Sequence, residues 1–319
     1  MKTINLKLLG LAFIALLSLS TSCNSSSGGN EEEGDEIKGN ISISGAFALY
    51  PLVNVWAEEF RKEYPNVKFS ISGGGAGKGM ADVLGGAVDL AMYSKDISPI
   101  ETEKGAYGFA VTKDAVIPTI SANNPVLAKI KKEGLTKEEL SKLFLKDDKK
   151  RWKDSNRDVN VYTRSDASGA AEVWAHYLGG EAQESLKGIA VFGDPGLADA
   201  VKKDPFGIGF NNIIYVYDIQ SGEKYPGIEV APIDLNGNGI LDPEENFYNN
   251  INEITEAIID GRYPSPPARE LFLVSKGKPT KKAVTVFIEW VLSKGQNFVI
   301  ESGYIKLNQD IIDEQKKRL

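Results

Sequence analysis

The chain has 319 residues, with 42% hydrophobic and 25% charged side chains, a globular composition long enough for two ordinary domains. It sets 37 Lys and Arg against 44 Asp and Glu, a formal net charge of −7, and has no basic stretch with interleaved aromatics, which argues against nucleic acid as a partner. A single cysteine rules out an internal disulfide, and a single histidine rules out a His-rich metal centre.

Lys2 and Lys7 precede an apolar run, Leu8 to Leu17, broken only by Gly10; Leu19-Ser20-Thr21-Ser22-Cys23 follows. Positive charge, apolar run and small residues, in that order, make a secretory signal, and the run is shorter than the ~20 residues a spanning helix needs. Cys23 after small residues resembles the lipobox of bacterial lipoproteins. An ordinary signal peptide with an incidental cysteine is the alternative, but a lone exported thiol is better explained as a lipid attachment point. The expectation is that residues 1–22 are removed and that Cys23 anchors an extracytoplasmic protein, in the periplasm or at the cell surface. Losing Lys2 and Lys7 would lower the net charge by two, to −9. Residues 23–38 then form a Ser/Gly and acidic tether expected to be disordered. Its acidic run reads either as a surface-export signal or as a solvated spacer.

From Asn40 onward, short apolar strands alternate with amphipathic helices. Strands are predicted at 41–44, 67–71, 88–92, 159–162, 207–215 and 271–274. Helices are predicted at 52–64, 80–84, 168–178, 253–259 and 283–292. Pro65 stops the first helix. This alternation predicts an α/β fold with parallel or mixed sheets.

Four strand-to-helix turns pass through small residues: Ser44 to Pro51, Ser72 to Gly79, Asp89 to Lys95, and Thr163 to Ala170. A helix N-terminus offers free N–H groups and partial positive charge, and glycine lets backbone approach a ligand. Several such termini aimed at one point would bind an anion with few cations. Neither of two better-known glycine motifs fits. Gly77-Lys78 lacks the upstream glycine and downstream hydroxyl of a Walker A loop, and G-x-G-x-x-G fails in every register from Gly73.

In this order and spacing the segments resemble the phosphate-binding proteins of phosphate ABC transporters, from about Ile41 to Leu307. The most specific piece is Thr163-Arg164-Ser165-Asp166-Ala167-Ser168-Gly169, which is similar to the family's R-x-D-x-S-G-T anion loop. Ser44-Gly45 through Tyr50-Pro51-Leu52, the Gly73 to Gly79 turn, Val88-Asp89-Leu90-Ala91, Leu140 to Trp152 and Gly207-Ile208-Gly209-Phe210 support it. The resemblance implies a two-lobed periplasmic-binding-protein (type II) fold with the ligand in the cleft between lobes. Lobe 1 would hold 39–116 plus 270–319 and lobe 2 would hold 117–269, with crossovers near Ile117–Ala122 and Ala268–Val274. It implies capture of inorganic phosphate or a related oxyanion by lobe closure, delivery to an ABC permease, a monomer, no catalysis and no cofactor for activity.

Carried onto this chain, Arg164 is the cationic fork, and Asp166 accepts from a protonated phosphate oxygen that sulfate lacks. Ser94 and Ser168 donate hydroxyls, and Leu49, Gly169 and Ala170 offer backbone N–H groups. Where the family commonly has hydroxyls this chain has Ala48, Ala76 and Ala170, which leaves their N–H groups but removes up to three side-chain donors. At ~0.5–1.5 kcal/mol each, that loss would weaken phosphate binding or mark a different ligand. Without the resemblance, Arg164 and Asp166 read as a local salt bridge beside a helix capped at Ser168. His176, eight residues after Ser168, is awkwardly placed for a Ser–His pair within one helix, so a surface or packing role is expected.

A second motif is independent. Asp234-Leu235-Asn236-Gly237-Asn238-Gly239-Ile240-Leu241-Asp242-Pro243-Glu244-Glu245 fills the pattern D-x-[DN]-x-[DN]-G-x5-E. Asp234, Asn236, Asn238, the Ile240 carbonyl, Asp242 and Glu245 would be the ligands of a structural Ca2+. The alternative is a polar Asn-Gly loop between strands. Two other classes of function stand beside transport: an enzyme acting on phosphate esters, for which no metal cluster is apparent, and a surface or sensor protein that keeps the fold with another ligand or none.

Overall fold

A computed structural model describes residues 36–148, 150–152 and 156–319. The expected signal peptide, Cys23 and most of the tether lie outside these residues. In chain order the first elements are β1 (Gly39–Gly45), α1 (Tyr50–Glu63), β2 (Val67–Gly73), α2 (Ala76–Leu84), β3 (Leu90–Tyr93), α3 (Pro99–Glu103) and β4 (Ala106–Ser121). The middle comprises α4 (Leu127–Glu133), β5 (Leu135–Thr136), α5 (Lys137–Leu145), β6 (Asn160–Arg164), α6 (Gly169–Leu178), β7 (Ile189–Val191), α7 (Gly193–Lys203) and β8 (Gly207–Asn212). Then come β9 (Ile228–Val230), β10 (Ile233–Asp234), α8 (Ile251–Ile259), β11 (Ala268–Lys276), α9 (Lys282–Val291) and α10 (Gln309–Arg318).

Local chemistry accounts for these elements. Pro51 sits in the first turn of α1, where its missing N–H costs nothing, and Arg61 and Lys62 sit in the last turn against the negative dipole end. Leu52, Trp56 and Phe60, at i, i+4 and i+8, bury one face, and the helix ends at Glu63 because Pro65 disfavours a helical conformation at Tyr64 before it. Capping boxes start α3 at Ser98 and α5 at Thr136. Several predicted spans change at their ends; β11, for one, runs over Ala268–Lys276 rather than 271–274. The second helix begins at Ala76 rather than near Met80, and strand character after Gly207 stops at Asn212, giving a 3-10 turn over Ile213–Tyr215.

The main sheet runs β2-β1-β3-β11-β4-β8-β6-β7, with β9 also paired to β4. Strands β1, β2 and β3 are mutually parallel, as are β6, β7 and β8; β11 is antiparallel to β3 and β4, and β4 to β8. This is the mixed α/β sheet of a two-lobed periplasmic-binding-protein fold. One hydrophobic core draws mainly on positions 41–111 and 271–312, and a second on positions 115–268. The sixteen-residue β4 passes from one to the other. Its first part pairs with β11 from Ala106↔Lys276 to Ala115↔Ala268, and its last part pairs with β8 from Val116↔Asn212 to Ile120↔Ile208. On β11 the return lies between Ala268 and Leu271, level with Ala115 and Thr112 across the ladder. Two adjacent antiparallel strands therefore join the halves.

Candidate functional site

Arg164 ends β6, and Ser168 caps α6 by accepting the Ala171 N–H at 3.3 Å. Between them the loop is pinned by Gln183. Its Oε1 accepts the Ser168 N–H at 2.7 Å, and its Nε2 donates to the Asp166 carbonyl at 2.7 Å. The Arg164 guanidinium is held by two carboxylates. Nε and Nη2 donate to the two carboxylate oxygens of Asp166 at 2.8 and 2.6 Å, and Nη1 donates to Asp194 at 2.5 Å. The side chain is 1% exposed and lies over the Phe47 ring, 5.8 Å from its centroid. Burial works against its charge, but Asp194 and Asp166 outweigh that and move its pKa upward.

Asp194 was not foreseen. It lies in the first turn of α7, which follows β7 through Gly193 at φ 73°, and its other carboxylate oxygen accepts Asn212 Nδ2 at 2.6 Å. The Phe192-Gly193-Asp194-Pro195 run is a fifth strand-to-helix turn, this one through glycine, and that pattern was the available signal. From Asn212 the polar chain continues: Oδ1 accepts Arg269 Nη2 on β11, and Arg269 stands 3.8 Å from Asp114 on β4. Burial pushes the Asp114 carboxyl up to about 7, although Arg269 pulls the other way. A buried line of charge and amide thus joins the Arg164 loop to both connecting strands.

The four turns singled out in the sequence meet here. The Gly75 N–H donates to the Gly45 carbonyl at 3.1 Å and the Ala46 N–H to Met92 at 2.8 Å, which packs the first three together. The fourth docks on them from the other half. Gly77 N–H donates to the Ala167 carbonyl at 2.9 Å, and a Cβ on Gly75 would stand 2.5 Å from Asp166 Oδ2. Likewise a Cβ on Gly169 would stand 2.4 Å from Ser94 Oγ. Tyr215, beyond β8, donates its hydroxyl to the Phe47 carbonyl at 2.9 Å. The structure therefore brings Ala48, Ala76, Ser94, Arg164, Asp166, Ser168, Gly169 and Ala170 into one buried locality. The N–H groups of Ala48, Ala76, Gly169 and Ala170 have no protein acceptor among the described residues, and Ser168 keeps its hydroxyl proton to donate. Leu49, expected to offer its N–H, instead donates to the Ala46 carbonyl at 3.2 Å. Convergent N–H groups around a buried guanidinium are suited to a small oxyanion. His176 is exposed, with Nε2 2.9 Å from the carbonyl of Glu181, just beyond the end of α6.

The 234–245 loop is ordered by its own oxygens. Asp234 accepts from the N–H groups of Gly237 and Gly239, Asn236 from Asn238, Asn238 from Ile240, and Glu245 from Leu235 and Asn236. Asp242 accepts the side-chain amides of Asn236 and Asn238 at 2.8 Å. Among the described residues, no group of three or more His, Cys, Asp or Glu side chains gathers to hold a metal, and no helix is long and apolar enough to cross a membrane.

Residues 30–294 match the family model described as PBP superfamily domain. The phosphate-binding protein PstS of Methanocaldococcus jannaschii is 25% identical, over 89% of this chain and 87% of its own. That of Pseudomonas aeruginosa strain PAO1 is also 25% identical, over 89% and 88%. Among solved structures, a proposed phosphate ABC transporter substrate-binding protein from Clostridium perfringens, with phosphate bound, superposes with a TM-score of 0.68 at 22% identity. It covers 85% of this chain and 100% of its own.

Proposed function

The chain belongs to the PBP superfamily, and from that premise we propose that it captures inorganic phosphate outside the cytoplasm for an ABC importer. Its relatives in Methanocaldococcus and Pseudomonas carry the name phosphate-binding protein. The observation that carries the reading is the convergence of four small-residue turns, from both halves, on Arg164 and Asp166, with four backbone N–H groups left without acceptors. Those N–H groups, the Ser94 and Ser168 hydroxyls and Arg164 are the donors; Asp166 is the acceptor that selects a protonated anion. The moving bodies are 39–116 with 270–319 and 117–269, closing about β4 and β11. Calorimetric titration with phosphate, with sulfate as control, is the test. Saturable phosphate heat with no sulfate response is expected, and Arg164→Ala should weaken phosphate by at least about 100-fold, since it removes charged hydrogen bonds worth ~1.5–3 kcal/mol each. Silence from folded protein with both anions would overturn the reading.

One observation favours a second reading, a different oxyanion or a sensing role on the same fold. Arg164 is already held by two carboxylates, and Ala48, Ala76 and Ala170 supply no hydroxyl. Lipid attachment at Cys23 completes the proposal and is tested by mass spectrometry of the membrane-bound form. A Ca2+ at the 234–245 loop rests on its sequence pattern. There Asp234, Asn236, Asn238, Ile240, Asp242 and Glu245 would have to turn oxygens from the loop's own donors toward the ion. A rise in unfolding temperature in ~1 mM calcium over chelator is expected if it binds, and no change would remove the site.

A further inference from the structure

Arg269 is 7% exposed, yet two of its three guanidinium nitrogens, Nε and Nη1, have no hydrogen-bond acceptor among the described residues. Only Nη2 is bonded, to Asn212, and the Asp114 carboxylate 3.8 Å away accepts no hydrogen bond from it. Buried donors left without acceptors are rare in folded proteins, and each asks for an explanation such as an unseen ligand. Arg269 lines a cavity of about 460 Å³, within the range of small-molecule sites. Lys113, on β4, lines it too and forms no ion pair among the described residues. Val173 of α6 and Ile258 of α8 contribute apolar wall. Arg164 is not among the lining residues; Asn212 and Asp194 stand between the two arginines. Asp96 and Glu270 bring negative charge to the same walls, which disfavours polyanions. The volume exceeds what a bare inorganic ion fills.

We propose that this cavity is a second ligand site, taking a small organic monocarboxylate whose carboxylate is received by Arg269 and Lys113 and whose carbon body lies against Val173 and Ile258. A planar carboxylate suits the guanidinium, and one negative charge is what the surrounding acids tolerate. The walls come from both halves, and Lys95 meets Glu172 across the cavity at 3.0 Å. An occupant therefore favours the closed arrangement and is coupled positively to any ligand at Arg164. The proposal stands whether or not phosphate binds at Arg164.

Calorimetry on the whole protein with lactate and butyrate as probes tests it. Saturable binding is expected within about 10 mM. Arg164→Ala should change it by less than about threefold, and Arg269→Gln should weaken it by at least about tenfold. Lys113→Ala, at a half-buried position less critical to folding, should weaken it about threefold or more and keeps the test decisive if Arg269→Gln does not fold. No saturable heat from either probe would overturn the site, as would affinity unchanged in the Arg269 and Lys113 variants. Loss of binding in Arg164→Ala would instead assign the carboxylate to the Arg164 loop and equally overturn it.

Discussion

Ala76 stands at the start of α2, 1% exposed, with its N–H unpartnered and its turn packed against Asp166 and Ala167. A hydroxyl there would add a donor beside one already free. Ala76→Ser should therefore tighten phosphate by ~0.5–1.5 kcal/mol, about two- to tenfold, measured by calorimetry. Unchanged or weaker binding would mean the alanine does not face the anion. Arg164, Asp166 and Ser168 could be read from the sequence because they lie within five residues of one another, where strand, loop and cap leave a local signature. Asp194, Asn212 and Arg269 could not, because what makes them functional is a contact between distant segments, and an aspartate after glycine at a helix start reads first as a cap. Asp114 and Arg269, charges inside apolar strands, meet only across the β4–β11 ladder and drew no notice in the sequence. The glycines were the better guide. At φ 90°, and with a Cβ position 2.5 Å from Asp166, Gly75 is required by the close approach itself.

At the scale of elements, β4 and β11 are both sheet core and connection between halves. Periodicity missed β4 as a strand, because buried side chains on both faces leave no alternation to read, and the connections near Ile117–Ala122 and Ala268–Val274 were expected from the resemblance alone. Asp114 makes the connection sensitive to pH. Its folded pKa of about 7 lies above the ~3.9 of an unfolded aspartate, so between these values the folded chain holds a proton that the unfolded chain releases. Its contribution is thus fullest below pH ~4 and is lost as pH rises through about 7. Arg269 and Asp194 are the charges that bear on it. Asp114→Asn should remove this slope. Relative to wild type, the variant should gain more than ~1 kcal/mol in urea unfolding between pH 5 and pH 8. Parallel wild-type and variant curves across that window would show that Asp114 does not titrate there.

The whole molecule is acidic, at a formal −7, yet its proposed ligand is an anion. Bulk charge repels that ligand, so recognition has to be carried by the near field of helix termini and one guanidinium. Raising salt from ~10 to ~150 mM shortens the Debye length from ~30 to ~8 Å and screens the repulsion more than the contacts. Stopped-flow association with phosphate should hold steady or quicken over that range, and a marked slowing would point to steering by a positive surface instead.

The core that holds positions 41–111 is the same core that holds 271–312, and β11 lies between β3 and β4. Emerging from a ribosome or translocon, the early strands would have to wait, unfinished, until nearly the last residues arrive. The second core, which draws on one uninterrupted stretch from 115 to 268, can close sooner. The anion site needs turns from both and is completed last. A nascent chain stalled before Ala268 would carry a folded middle, an open sheet edge beside β3, and a surface that chaperones have reason to hold.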